Sequence, residues 1–412
     1  MNLNIFPEGR ACSIATCINP VLSMFVACLI STTVFAQSDY SEETLAVKRR
    51  FSAIEDAALA DPFVGVTTES GKQADLFPIR ATGVSTKPIV ESALAFLSTL
   101  TQAQKIKTQF AVDDPEWRKW SNIDNGIYVR QGISFEEMVD SQKTAAWNLL
   151  RASLSAAGLK LSRNIMKTDQ TLKELNNDDL SYGEEKYFIT VMGIPSEKQP
   201  WGWQLDGHHL IINYFVLGDQ VVVTPMFLGA EPAVANSGKY AGNAVLQEEQ
   251  NQGLIFFQSL DEEQKNIATL EAIKSPVDIH AEAWKDNLVL NYAGIGAQQL
   301  SSGQKDQLVG LIELFVRNIR DEHARVRMQE VLEHLDNTYF AWVGGSSDDA
   351  VFYFRIHSPV ILIEFDHQRP VGNVGLTPGV PTRQHVHVVV RTPNGNDYGK
   401  DLLRQHLETR PH

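Results

Sequence analysis

Cysteine is scarce in this sequence of 412 residues, and the three that occur, Cys12, Cys17 and Cys28, all lie near the N-terminus. The same stretch has the pattern of a secretory signal: Arg10 precedes an apolar run from 20 to 35, and Ala36 is a small residue of the kind that signal peptidase accepts. We therefore expect residues 1–36 to be a signal peptide and the mature chain, 37–412, to be periplasmic or secreted. Such a chain has no thiol, no disulfide and no thiolate chemistry.

Clusters of basic residues are also missing. Acidic residues outnumber basic ones by 50 to 36, and the resulting net charge of -14 is spread along the chain. Because nucleic-acid binders neutralise phosphates with clustered Lys and Arg, we expect no nucleic-acid partner. The apolar run of the signal segment is short for a membrane helix, so we expect no stable membrane span after signal cleavage.

Two common catalytic motifs are absent. The sequence has no Gly-x-Ser-x-Gly elbow, which disfavours a serine hydrolase of that type. It also lacks the glycine-rich phosphate loops of nucleotide-binding proteins. If the protein is an enzyme, its chemistry must come from other residue types.

Hydrophobic periodicity predicts helices first and strands later. Apolar residues recur at helical spacing in several segments between 39 and 175, whereas 187–226 and 338–391 are rich in β-branched and aromatic residues bounded by turns. We predict an α+β fold with a single large domain, in which a helical N-terminal half packs on a mostly antiparallel sheet.

A helix-start motif recurs along the chain. Thr101, Asp261 and Ser301 are each followed three residues later by Gln, the arrangement of a capping box. Similar residues precede the first two motifs, at 96–100 and 257–260, which is compatible with an internal duplication. We favour independent use of a good helix start, because nothing else in the two halves aligns.

The central stretch, 201–232, combines Trp201 and Trp203 with an adjacent histidine pair, His208 and His209. We predict that His208 begins a strand ending at 217, with Gly218 in the following hairpin turn. Because side chains alternate along a strand, His208 and His209 would then face opposite sides of the sheet. The sequence does not decide which of them faces a site.

A second histidine pair lies near the C-terminus. His385 and His387 are separated by one residue in a predicted strand, so both imidazoles should point to the same side. Two strand histidines with this spacing can bind one metal ion, although solvent-facing histidines give the same pattern. Together with His208 or His209 they would supply three nitrogens to a divalent ion such as zinc, iron or copper.

Other side chains complete the candidate site. Glu364 and Asp366 are separated by one residue, so they should lie on the same face of a predicted strand, and either could supply a fourth ligand or a general base. Arg355 could bind a carboxylate. Trp201 and Trp203 could stack against a ligand or cofactor, but indoles buried in the core give the same pattern.

The chain resembles the DUF3500 family, a domain of unknown function. The resemblance rests on Trp-Gly-Trp at 201–203 with Asp-Gly-His-His-Leu at 206–210, and on the run 224–232. It extends to 359–366, His-Val-His at 385–387, and the segments 396–399 and 401–406. It implies one family-length domain from about 39 to 406 and gives no activity, substrate or catalytic residues. Val390 stands where the family commonly has an aromatic residue, which weakens the idea of stacking there.

We hypothesise a metal-dependent enzyme, a hydrolase or an oxidoreductase acting on a small molecule. A ligand-binding protein without catalysis is one alternative. A metal-free hydrolase that uses a histidine and carboxylate pair is another. Neither is excluded by the sequence.

Overall fold

A single sheet of 13 strands runs through the computed structural model, which describes residues 41–409. These residues belong to one compact unit. The predicted signal segment, 1–36, lies outside them. The α-helices are α1 Glu42–Ala58, α2 Lys87–Thr99, α3 Gln102–Thr108, α4 Asp140–Ser153, α5 Ala156–Leu175, α6 Gln247–Gln258, α7 Glu262–Ala268, α8 Ser302–Val316, α9 Asp321–Glu333 and α10 Lys400–Thr409. No helix between residues 41 and 409 is both long and apolar enough to cross a membrane.

The strand order places the last strand of the chain in the middle of the sheet. The strands are β1 Gln109–Phe110, β2 Ile133–Ser134, β3 Tyr187–Met192, β4 Trp201–Gly207, β5 Leu210–Leu217, β6 Gln220–Val222, β7 Met226–Ala230, β8 Thr269–Glu271, β9 Ile295–Gly296, β10 Tyr339–Gly344, β11 Phe352–His357, β12 Leu362–His367 and β13 Val386–Arg391. The main order is β1-β3-β4-β5-β7-β13-β12-β11-β10-β8, while β2, β6 and β9 pair with β3, β5 and β10. Only the β1–β3 and β8–β10 pairs are parallel.

The predicted α+β class and the mostly antiparallel sheet are confirmed. The helical N-terminal half is not, because helices α6 to α10 follow residue 246 and strands β1 to β7 precede residue 231. Helices and strands therefore alternate in blocks along the whole chain.

These blocks repeat. Apart from β6, which has no counterpart, the series α2-α3-β1-β2-α4-α5-β3-β4-β5-β7 has the same order of helices and strands and the same strand pairing as α6-α7-β8-β9-α8-α9-β10-β11-β12-β13. The likeness extends to side chains: Gln104 and Gln142 form a hydrogen bond of 2.8 Å, and Gln264 and Gln304 form one of 2.7 Å between the corresponding helices. Independent use of a helix start does not produce this correspondence, so the fold is an internal duplication whose halves meet at β7 and β13.

Glycine permits a close contact where the two halves join on the helical side. Gly158 lies in the first turn of α5, where its N–H donates to Ser155 Oγ at 3.0 Å. A Cβ atom at Gly158 would lie 1.9 Å from the backbone oxygen of Asn318. The two chain segments can approach this closely only because the position carries no side chain.

Gly158→Ala is expected to destabilise the protein by about 2–3 kcal/mol, because the backbone near Asn318 must move to admit the methyl group. Chemical denaturation measures the change. Gly310→Ala is the matched control: Gly310 is exposed in α8 with nothing within 4 Å of the added Cβ, so the free energy of unfolding should rise by up to ~1 kcal/mol. Equal stability of the two variants would contradict the close contact.

Candidate metal centre

The turn between β4 and β5 consists of the adjacent histidines. Gly207 pairs with Leu210, so His208 and His209 form the two-residue connection rather than the start of a strand. His209 has the left-handed backbone angle φ of 61°, which breaks the strand alternation on which the sequence interpretation relied. As a result the two rings stack, with centroids 3.8 Å apart.

Three strands in register bring the distant histidines together. His387 on β13 pairs with Gly229 on β7, and the Gly229 N–H donates to the His209 carbonyl at 2.7 Å. Gly229 therefore lies between two histidines that are far apart in sequence. Because it has no side chain, the ring of His209 can lie over the strand: a Cβ atom at Gly229 would be 3.0 Å from Cδ2 of His209.

Three imidazoles converge at this point. The Nε2 atoms of His209, His385 and His387 are separated by 3.3 Å, 3.2 Å and 3.0 Å, and all three side chains are buried. Two nitrogens bound to one zinc ion at about 2.0–2.1 Å lie ~3.4 Å apart in tetrahedral geometry. The observed triangle has nearly this size, so the three side chains form a buried group that could hold a metal ion.

The outer nitrogens of two rings fix which ring nitrogens face inward. Nδ1 of His385 lies 2.6 Å from the carbonyl oxygen of Arg369, which can only accept, so this Nδ1 carries the hydrogen. Nδ1 of His387 lies 3.1 Å from Oε1 of Glu282, whose pKa burial raises to about 7, and donates to that side chain in its ionised form. In the neutral rings the lone pairs of Nε2 therefore point at the centre of the triangle, where they repel one another unless a cation lies between them.

The electrostatic environment keeps the three rings neutral. Burial, reinforced by the neighbouring imidazoles, lowers the pKa of His209 well below its ordinary value and also lowers the pKa of His385. Burial lowers the pKa of His387 to about 3. Neutral imidazole is the form that binds a metal ion.

Carboxylates surround the group without entering it. Glu231 lies 3.7 Å from Nδ1 of His385 and accepts the backbone N–H groups of 371, 372 and 373 at 2.8–3.0 Å. Burial opposes its ionisation, but these N–H groups hold the pKa of Glu231 below its usual range. Asp169 binds Nδ1 of His208 at 2.6 Å. His208 is thus beside the group, stacked on His209, and its Nδ1 is engaged by a carboxylate.

The predicted acid and base candidates lie on the same sheet face as His387 but have other partners. Glu364 accepts from Tyr353 Oη at 2.6 Å and from the backbone N–H groups of 280 and 281. Asp366, directly across from His387 in the register, forms an ion pair with Lys274 at 2.8 Å. No carboxylate among residues 41–409 joins the three histidines within the 4.8 Å that encloses their ligand atoms.

Arg355 and the two tryptophans are also accounted for. Arg355 is buried on β11, next to Glu364 in the register, and donates to the carbonyl of Asn291 at 3.4 Å. Trp201 and Trp203 are completely buried in the main apolar cluster, and Trp203 stacks on Tyr214. Of the two interpretations that the sequence left open, burial in the core is therefore the one that describes Trp201 and Trp203.

Sequence reasoning missed three carboxylates near the histidines. Glu282 comes from the segment between β8 and β9, which carries no periodic signal. Asp169 lies on α5 among ordinary helix-face residues. Glu231 lies in the run 224–232, which carries part of the resemblance to the DUF3500 family. That membership was the one sequence signal that could have pointed to Glu231.

The comparison with protein families agrees with this reading of the motifs. A family described as a protein of unknown function, DUF3500, matches residues 82–400. The chain belongs to the DUF3500 family. No curated protein and no solved structure matches the chain. In this DUF3500 chain the matched range contains His209, His385 and His387, and it contains both repeats, from α2 to β13.

Proposed function

We propose that this DUF3500 protein is a metal-dependent enzyme of the periplasm or the extracellular space. In it, His209, His385 and His387 hold a divalent transition ion through Nε2. The observation that carries the proposal is the buried triangle of three inward-facing imidazole nitrogens with no fourth protein ligand beside it among the described residues. Catalytic zinc sites characteristically have three protein ligands and one open position, whereas structural sites have four.

The donor set favours zinc. Three neutral imidazoles at nearly tetrahedral spacing, with no thiolate in the proposed mature chain, suit zinc, although iron and copper also accept imidazole. A zinc ion held by three histidines lowers the pKa of bound water to about 7 and so supports hydrolysis at neutral pH. Iron or copper would instead support oxidation. Zinc makes hydrolysis of a small-molecule substrate the leading reaction class.

Residues of the chain would orient the ligands and admit solvent. Glu282 and the Arg369 carbonyl fix the rings of His387 and His385, and Glu231 holds the loop that follows Arg369. The side chain of Glu282 is 27 % exposed, whereas Glu231 is 2 % exposed, so solvent reaches the site from the Glu282 side. We place the entry of water and substrate there.

Elemental analysis of native protein purified without a histidine tag tests the proposal. We expect about one zinc ion per chain, a lower melting temperature after chelation, and hydrolysis of 4-nitrophenyl acetate that chelator abolishes and zinc restores. Absence of stoichiometric metal together with a melt that chelator leaves unchanged would overturn it. Hydrolysis that survives chelation but is lost in His209→Ala would favour the metal-free hydrolase, and bound metal without turnover would favour a binding protein.

Glu282→Gln is expected to weaken zinc affinity about tenfold or more, because loss of the carboxylate charge makes Nε2 of His387 a poorer donor while the shape is kept. Competition with a chromophoric chelator measures the affinity. Glu271→Gln, at an exposed position on β8, should bind zinc as the unmodified protein does. Equal affinities in the two variants would show that the contact between Glu282 and His387 does not tune the site.

A further inference from the structure

A cavity of about 60 Å³ lies between the sheet and helices α8 and α9. Met226 on β7 and Val390 on β13 line it. Because residues alternate sides along a strand, Val390 points away from the face that carries His387. The cavity and the three histidines are therefore separate sites on opposite faces of the sheet.

Most of the cavity wall is apolar. The sheet side contributes Val223, Met226 and Val390, and the helical side contributes Phe315, Val316 and Ile319. A wall of this kind binds the apolar part of a small molecule by removing it from water.

One polar side chain of the wall is unsatisfied. His323, in the first turn of α9, is 2 % exposed, and its Nε2 has no hydrogen-bond partner among the described residues. Burial, with Arg320 nearby, lowers the pKa of His323 to about 4, so the ring is neutral at pH 7. A buried polar atom without a partner destabilises the folded protein, and a bound polar group would offset that cost.

The other polar groups of the wall already have partners. Arg327 donates to Glu330 at 2.8 Å, to the carbonyl of Val360 at 2.6 Å and to Thr392 Oγ1 at 3.2 Å. Thr392 also contacts the hydroxyl of Thr224 at 2.7 Å. Arg327 and Glu330, the charged side chains of the wall, compensate each other, so the cavity offers no unpaired charge to a charged ligand.

We infer that this cavity is a second ligand site, which takes a small uncharged molecule with an apolar body and one hydroxyl or carbonyl group bonded to Nε2 of His323. The volume has room for roughly four to six non-hydrogen atoms, counted against the space that single waters need. A short-chain alcohol or ketone has this size and polarity.

Binding of butan-1-ol to the full chain tests the inference. Ligand-observed NMR should show saturable binding with a Kd in the millimolar range. In His323→Leu the Kd should rise at least tenfold, because the hydroxyl loses its only free partner while the cavity keeps its apolar wall. His334→Leu is the matched control, since His334 lies at the end of the same helix outside the cavity wall, and it should leave the Kd unchanged.

A second variant keeps the test decisive if His323→Leu fails to fold. Val390→Phe fills the cavity from the sheet side and should abolish butan-1-ol binding. Absence of saturable binding, or an equal Kd in the unmodified protein and His323→Leu, would overturn the inference. A crystal structure with ordered water on Nε2 of His323 that saturating butan-1-ol does not displace would also overturn it. The zinc content is a separate measurement, so either site can fail without the other.

Discussion

Replacing His385 and His387 together by Ala is expected to leave the protein without bound metal. Removing two of three nitrogens leaves one ligand, which does not hold a divalent ion at micromolar free metal. Metal present at a hundredfold excess over its Kd stabilises a folded protein by about 2.7 kcal/mol through mass action. The melting temperature of the variant should therefore be lower by about 3 °C or more. Elemental analysis and differential scanning calorimetry measure the two effects.

The decisive comparison is the response to added zinc, because truncating buried side chains also costs stability directly. Zinc should raise the melting temperature of chelator-treated unmodified protein and leave that of the double variant where it is. His280→Ala with His334→Ala removes the same number of imidazoles from outside the triangle and should keep the zinc response. A zinc response in the His385 and His387 variant as large as that of the unmodified protein would place the metal elsewhere.

Gly229→Ala is expected to weaken zinc binding about tenfold to a hundredfold, although Gly229 contributes no ligand atom. The added Cβ would lie 2.9 Å from the backbone oxygen of Val386 and 3.0 Å from Cδ2 of His209. Because the backbone of β13 is paired with β7 and resists movement, the ring of His209 must shift. Changes that disturb the orientation of a ligand typically cost this much affinity. Competition titration with a chromophoric chelator measures it.

Gly345→Ala serves as the control for Gly229→Ala. Its Cβ would meet only Ala350 at 3.4 Å, an ordinary contact, and zinc affinity should not change. If Gly229→Ala binds zinc as tightly as the unmodified protein, the ring of His209 is not held against this strand in the way the geometry implies.

The internal duplication explains why the site lies where it does. The central pair of strands, β7 and β13, is the last strand of each repeat, and the pair joins the two halves of the sheet. His209 comes from the first repeat, whereas His385 and His387 come from the second. The nitrogen triangle is thus completed only when the halves assemble, which ties formation of the site to formation of the whole sheet.

Local patterns in the sequence predicted much of the fold. The capping boxes at Thr101, Asp261 and Ser301 occur at the starts of α3, α7 and α8, because a short oxygen side chain and a Gln three residues later satisfy first-turn N–H groups locally. The turn at Gly218 connects β5 and β6 as expected. By contrast, the predicted start of β5 at His208 was wrong, because the strand begins at Leu210. Nothing in the residue types indicated that His209 adopts a left-handed conformation.

The residue pattern around β13 was enough to predict that His385 and His387 point to the same side, because strand alternation is a property of the local backbone. The choice of His209 over His208, the contact with Glu282 and the closeness of all three imidazoles were decided only by tertiary structure. They depend on the pairing of Leu228 with Val388, two residues that are far apart in the chain. A pairing over that distance is selected by burial of the complete sheet between its helices, and no short stretch of sequence encodes it.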